Sequence, residues 1–310
     1  MLGTPAGIGA MPGARIGGVA LYLAAVAVFA SMDAVTKFLV TGLPATEVMW
    51  ARFGFHLLIM ALALRAVRGP LPWRAHAPRT QIIRSLSLAV CNLLYALALR
   101  YVPLAEAAAI NFVGPVITVA LAAVWLRESV GWRRWSGVAL GMAGVLVVLR
   151  PGLGVVDPAG FLALLSAAVF AVYQILTRRL AGRDSAQTTI LHTGLWATIG
   201  TSLLMPFVWV WPDWNALLLM LLLGGLGGLG HYLMVLAYDR APASLIAPMG
   251  YAGMIFAVTY GFVLFKETPD GATLLGALVI IAGGLLVISA EKRSPGLHPR
   301  EANPTKRAKA

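Results

Sequence analysis

Six polar or ionisable residues lie inside long apolar segments of this sequence, where such side chains are rare. They form three pairs with nearly the same separation along the chain: Asp33 with Gln174, Arg52 with His192, and Asn92 with His231. An ionisable group at bilayer depth costs at least about 2 kcal/mol, so it normally faces a cavity or a partner. These positions are therefore the first candidates for binding a solute, carrying a proton or gating a passage.

Asp33 and Arg52 each lie about six residues from the outer end of an apolar segment, which is roughly 9 Å deep in a helix. Equal depth allows a direct pair, and three roles are open for it. It is a structural bridge between two helices, or it is functional, with Arg52 binding a substrate carboxylate or Asp33 titrating with a coupled proton, or the pair closes the outer mouth. Asp33 and Lys37 are also one turn apart and could pair on one helix.

Histidines and aromatic residues extend the candidate set. His192 and His231 either titrate near neutral pH or serve as hydrogen-bonded packing residues. Aromatic rings with a polar tip suit a small organic solute, although packing or lipid contact explains them equally well. The further candidates are Tyr95, Asn111, Phe112, Tyr173, Trp196, Tyr232 and Tyr251.

Enzymatic chemistry is not indicated by the sequence. The five histidines have no ligand spacing with Cys91 or with carboxylates, so no metal site is predicted. No hydrolase or phosphate-binding motif is present either. We therefore expect no catalytic residue and no cofactor, and we predict that the protein is not an enzyme.

The composition is that of an integral membrane protein. Of 310 residues, 59% are hydrophobic and 12% are charged, and the mean hydropathy is +0.82. About a quarter of the residues of a soluble domain are charged. The net charge of +12 comes from basic residues between apolar segments and in the C-terminal tail. This distribution predicts membrane topology, with the lipid bilayer as partner and no nucleic acid.

Ten apolar segments are long enough to cross a bilayer as helices. They are Ile16–Leu39, Thr46–Ala66, Gln81–Leu99, Leu104–Leu126, Trp132–Leu149, Pro158–Leu180, Gln187–Val210, Asn215–Tyr238, Ala243–Phe265 and Ala272–Ala290. The predicted fold class is an all-α integral membrane protein with ten transmembrane helices around a central cavity. We expect a disordered cytoplasmic N-terminus at 1–15, five-helix repeats at 16–150 and 157–290, and a basic disordered cytoplasmic tail at 291–310.

The two halves repeat the same landmarks at one constant separation along the chain. Leu97-Ala98 with Pro103 returns as Leu236-Ala237 with Pro242, Glu128 as Glu267, Gly137 as Gly276, and Gly144 as Gly283. Five spans are an odd number, so the second repeat has inverted topology. Nineteen Lys and Arg residues fall on one face and four on the other, which predicts cytoplasmic termini. Inverted repeats are typical of secondary transporters, with the substrate site between the halves.

The end of each half resembles a known family. The first reads Trp125-Leu126-Arg127-Glu128-Ser129 and the second Phe265-Lys266-Glu267-Thr268, each followed by a glycine-spaced span. Together with Pro103 and Pro115, these motifs resemble the drug/metabolite transporter superfamily and its bacterial EamA-type members. The resemblance implies a bacterial inner-membrane protein in which spans one to four and six to nine surround a cavity, while spans five and ten are scaffold.

The same resemblance implies transport of a small-molecule substrate by alternating access. The first expectation is export of amino acids or related compounds. The second is uptake of a vitamin or nucleoside-like metabolite such as riboflavin or S-adenosylmethionine. A third, of another class, is a non-transporting membrane sensor or structural partner. Protons are a candidate coupling ion, and the oligomeric state is expected to be monomer or homodimer.

Overall fold

The computed structural model describes residues 12–125, 131–149, 159–180, 183–240 and 247–292. Within these ranges the chain is helical and contains no strand. The helices are α1 (Pro12–Gly42), α2 (Ala45–Arg68), α3 (Pro78–Tyr101), α4 (Leu104–Asn111), α5 (Gly114–Trp125), α6 (Trp132–Leu149), α7 (Gly160–Leu180), α8 (Ala186–Ser202), α9 (Met205–Val208), α10 (Trp214–Arg240), a 3-10 helix (Ala247–Ala252), α11 (Gly253–Phe265) and α12 (Gly271–Lys292).

Several helices have the length and composition of membrane spans. Six stretches qualify: Ile16–Gly42, Ala45–Val67, Pro78–Tyr101, Leu104–Trp125, Gly160–Thr177 and Trp214–Met234. Three shorter helices are also apolar: Trp135–Leu149, Met249–Phe265 and Gly271–Leu286. The described part of the chain is therefore an assembly of apolar helices.

Helices lie on all ten predicted segments, and α6 has the predicted bounds. At the N-terminus, α1 already begins at Pro12, inside the segment expected to be disordered. The segments 1–11 and 293–310, which are predicted to be disordered, and the repeated landmark Glu128 lie outside the described residues.

Two predicted segments are interrupted where proline prevents a continuous helix. The segment Gln187–Val210 divides into α8, which ends at Ser202, and the short α9. The segment Leu104–Leu126 divides after Asn111. Proline lacks an N–H, and its ring clashes with the carbonyl four residues earlier. Pro206 and Pro115 lie four residues after Ser202 and Asn111, which explains both ends.

A matching interruption occurs in the second half. There the 3-10 helix gives way to α11 at Gly253, while α5 begins at Gly114. These two glycines have the same separation along the chain as the repeated landmarks of the sequence. Both halves thus have a discontinuous helix at the corresponding position.

Glycines allow α6 and α12 to pack closely. A Cβ added at Gly144 would lie 2.8 Å from the carbonyl oxygen of Gly276, and one at Gly283 would lie 2.8 Å from that of Gly137. These distances leave no room for a side chain. The glycines therefore have a packing role, and they join the last helix of each half.

The first three helices pack mainly on helices of the second half. Helix α1 contacts α10, α2 contacts α8 and α10, and α3 contacts α7 and α8. The buried interior between these helices thus belongs to both halves. Polar residues that point into it are positioned by both.

Candidate functional site

A cavity of about 50 Å³ lies between the halves, bordered by α2 and α3 on one side and α7, α8 and α10 on the other. Its lining combines cations, aromatic rings and a hydroxyl group with apolar residues. The lining residues are Arg52, Phe53, His56, Arg84, Leu88, Tyr173, Ile190, Thr193, Gly227 and His231. Of the sequence-predicted candidates, Arg52, His231 and Tyr173 lie here.

Arg52 is held by an amide rather than by an acid. Its Nη1 donates to Oδ1 of Asn92 at 2.6 Å, and Nδ2 of Asn92 donates to the Leu88 carbonyl at 2.8 Å, which orients Oδ1 toward Arg52. Among the described residues no ion pair joins Arg52 to Asp33. Asp33, on α1, lies near Arg52 without a direct ion pair.

Lys37 pairs with Glu267 and not with Asp33. The Lys37 Nζ lies 2.6 Å from Oε1 of Glu267 and donates to the Val102 carbonyl at 2.7 Å. The other oxygen of Glu267, Oε2, accepts the backbone N–H of Leu104 at 2.8 Å. We call this group the Lys37 end of the molecule. Glu267 thus acts as a cap on α4 and ties the second half to the first.

Arg84, one of the nineteen basic residues behind the predicted cytoplasmic face, is buried. It lies in the second turn of α3 and is only 4% exposed. Its Nε, Nη1 and Nη2 donate to Thr177 Oγ1 at 2.7 Å, Thr193 Oγ1 at 2.7 Å and the Tyr173 hydroxyl at 2.8 Å. Three neutral acceptors from the second half therefore hold it inside the cavity wall.

Two histidine rings meet beside Arg52. His231 Nδ1 bonds the Gly227 carbonyl at 2.8 Å, which assigns the proton to Nδ1 and leaves Nε2 as an acceptor. The His56 ring stands edge-on to that of His231 at a centroid distance of 5.9 Å. Sequence reasoning missed His56, although it is one turn after Arg52 and therefore on the same helix face.

His192 and Trp196 form a satisfied pair outside the cavity lining. Trp196 Nε1 donates to His192 Nδ1 at 3.2 Å, so the proton of His192 is on Nε2. That nitrogen bonds the Trp73 carbonyl at 2.9 Å. Both ring nitrogens are thus used, and the geometry is that of a hydrogen-bonded packing residue.

A second group of candidates meets at the helix interruptions. The rings of Phe112 and Tyr251 are 5.6 Å apart. Oδ1 of Asn111 and the Tyr251 hydroxyl are buried without a hydrogen-bond partner in the described structure. These polar atoms lie where α4 and the 3-10 helix end.

The remaining candidates do not join either group. Tyr95 is buried in the hydrophobic core, and Gln174 is half-buried on α7 without lining the cavity. Tyr232 is 59% exposed on α10. Residues in the described ranges form no group of three or more His, Cys, Asp or Glu side chains that could hold a metal ion.

Comparisons with known proteins place this arrangement in a family. A family model described as the EamA-like transporter family matches residues 16–150 and again 158–289. The S-adenosylmethionine uptake transporter of Rickettsia bellii is 26% identical over 89% of this chain and 95% of its own length. The riboflavin transporter of Rhizobium johnstonii is 28% identical over 90% and 93%.

An exporter and a solved structure are also similar. The pseudopaline exporter of Pseudomonas aeruginosa is 24% identical over 89% of this chain and 97% of its own length. A crystal structure with 20% identity covers 90% of this chain and 99% of its own at a TM-score of 0.64, which shows a shared fold. Since the family model matches nearly the whole chain, this multi-pass membrane protein belongs to the EamA-like transporter family.

Proposed function

We propose that this transporter moves a small organic metabolite across the bacterial inner membrane by alternating access. The observation that carries the proposal is the polar cavity, which both halves line inside a body of apolar helices. Ten spans in two inverted repeats, with both termini cytoplasmic, are the topology that we infer for it. The matching interruptions before Gly114 and Gly253 support such a repeat.

Uptake of an S-adenosylmethionine-like or riboflavin-like metabolite is the substrate class that we favour. The names of two relatives correspond to this second sequence-based expectation rather than to amino acid export. The lining also suits a heterocyclic solute, because it offers the rings of Phe53, His56, Tyr173 and His231 beside two arginines. Membership of a transporter family leaves the sensor hypothesis without support.

The size of the cavity argues for a conformational cycle. Sites for metabolites of this size span about 300–1,000 Å³, whereas this cavity holds about 50 Å³. Contacts between the halves lie near both ends of α3. One set is the Lys37 end. The other, which we call the Asp184 end, joins Asp184 to His76 and to Gln81. In the proposed cycle, one set opens to admit a solute while the other stays closed.

Flux through proteoliposomes tests the proposal. The purified full chain is reconstituted, and entry and exit of labelled S-adenosylmethionine, riboflavin and a set of amino acids are measured with and without a pH gradient. We expect saturable flux of at least one compound. Tyr173→Ala removes a ring and a hydroxyl from the lining, so it should lower that flux about tenfold.

Tyr101→Ala is the matched control, since Tyr101 is 59% exposed at the end of α3. It should leave the flux unchanged. Exit without entry would favour the export alternative, to which the pseudopaline exporter lends support. Absence of flux for every compound, or an equal loss in both variants, would contradict the proposal.

A further inference from the structure

We propose that the cavity binds a carboxylate group of the transported solute, with Arg84 as the principal binding residue and the Tyr173 hydroxyl as a second donor. This inference rests on the proposed transport function and specifies its substrate class. It would favour solutes built like S-adenosylmethionine or an amino acid over a neutral heterocycle such as riboflavin.

The hydrogen bonds of Arg84 leave its charge unbalanced. The hydroxyl proton of Thr177 is donated to the Tyr173 carbonyl at 2.8 Å, and that of Thr193 to the Thr189 carbonyl at 2.7 Å. Both hydroxyl oxygens therefore accept hydrogen bonds from Arg84 without adding a negative charge. Tyr173 adds a third acceptor and a ring whose centroid is 4.6 Å from the guanidinium carbon. No acid takes part in these contacts.

No ion pair among the described residues involves Arg84, and the ion pairs that are present lie elsewhere. Glu267 pairs with Lys37, and Asp184 with His76. Asp33 lies near Arg52, the other cation of the lining. A buried cation without a counter-ion is costly, because its attraction to water is lost and no opposite charge replaces it. A bound carboxylate would supply that charge.

Donors for a carboxylate remain after the internal bonds are counted. A guanidinium has five N–H groups, and Arg84 uses three of them, one on each nitrogen. One N–H of each terminal nitrogen is left. The Tyr173 hydroxyl accepts from Nη2, so its own proton is available. Arginine recognises the planar carboxylate through two such parallel bonds.

A purely structural role for Arg84 makes a different prediction. Arg84 ties α3 to α7 and α8, so its loss could loosen the interface and weaken every ligand alike. A carboxylate site weakens only ligands that carry the carboxylate. The readout must therefore be a difference between two ligands that differ in this group alone.

Matched ligand pairs supply that readout. Binding of S-adenosylmethionine and of decarboxylated S-adenosylmethionine to the full chain in nanodiscs is measured by calorimetry, together with methionine and 3-(methylthio)propylamine. We expect the acid of at least one pair to bind about 10- to 100-fold more tightly than its partner. Arg84→Gln should remove most of that ratio and leave the affinity of the decarboxylated partner within about twofold.

Two further variants make the test independent of folding defects. Tyr173→Phe removes only a hydroxyl and should reduce the ratio about threefold to tenfold. Arg100→Gln, at the exposed far end of the same helix, should leave it unchanged. Equal affinity for both members of each pair, or equal weakening of both by Arg84→Gln, would overturn the inference.

The two proposals fail in different ways. If riboflavin alone is bound and transported, the transport proposal stands and the carboxylate inference is wrong. If no compound of any kind is bound or transported, the transport proposal itself is contradicted, and the inference falls with it.

Discussion

At the scale of single residues, unused hydrogen-bonding capacity distinguishes binding candidates from packing residues. His192 lies deep among helices, but both of its ring nitrogens are bonded within the protein. Arg84 is also buried, but two of its N–H groups have no partner among the described residues. Both are polar residues near apolar sequence, so residue type alone does not separate them. Their hydrogen-bond partners separate them, and these partners are known only from the folded structure.

A residue-scale prediction concerns Asp184, in the turn between α7 and α8. Its Oδ1 accepts the His76 N–H at 2.7 Å and its Oδ2 accepts Gln81 Nε2 at 2.8 Å. Burial raises the pKa of this carboxyl, but these bonds and His76 outweigh it, and the net pKa is lowered. The stabilisation is present above the unfolded pKa near 3.9 and is lost as the pH falls through the lowered value.

We therefore expect Asp184→Asn to lower the Tm by a few degrees at pH 7, and the difference from wild type to shrink toward pH 3. Thermal unfolding of the two proteins across this range measures it. Asp213→Asn is the control, because the Asp213 side chain accepts the N–H of Ala216 at the start of α10. Asn caps helices as well as Asp, so this change should be nearly neutral. A pH-independent loss for Asp184→Asn would contradict the explanation.

At the scale of elements, hydropathy predicted helix positions well because each span must be about as long as the bilayer is thick. The interruptions at Asn111 and Ser202 were missed. Hydropathy is averaged over a whole span and does not register a single proline. Pro115 and Pro206 indicate where the helices are interrupted. Because the proline ring clashes with the carbonyl four residues earlier, they would have predicted the helix ends at Asn111 and Ser202.

Close packing of α6 on α12 gives an element-scale prediction. A Cβ at Gly283 would lie 2.6 Å from the Gly141 backbone nitrogen, and backbone atoms cannot move aside cheaply. Gly283→Ala should therefore destabilise the protein by about 1–3 kcal/mol. Gly17→Ala is the control, because nothing lies within 4 Å of the added atom and alanine favours the helix. Equal Tm values for the two variants would refute the packing role of Gly283.

At the scale of the whole molecule, the sequence predicted part of the cavity lining. The repeat offsets selected Arg52 and His231, which line the cavity, and Asn92, which orients Arg52. They also selected His192, which does not line it. Repeat symmetry identifies residues at equivalent depths in the two halves. It does not predict which half supplies the hydrogen-bond partner of each residue. Arg84 was missed because its contacts come from α7 and α8, which belong to the other half of the chain.

The Lys37 end and the Asp184 end are held by different residues, and this difference leads to the last prediction. Glu267→Gln keeps an oxygen for the Leu104 N–H but removes the charge that holds Lys37. It should loosen the Lys37 end alone. We expect amide hydrogen exchange in the first turn of α4 to rise at least tenfold, since a local loss of about 1.4 kcal/mol has that effect. Exchange in the first turn of α8, at the Asp184 end, should stay as in wild type.

Asp184→Asn supplies the reciprocal variant for the same measurement. It should raise exchange in the first turn of α8 and leave that of α4 unchanged, because the two ends share none of their contacts. If either substitution raised exchange at both ends equally, the ends would open together. Alternating access requires that they open separately, so that result would contradict the proposed transport cycle as well as the independence of the two sets of contacts.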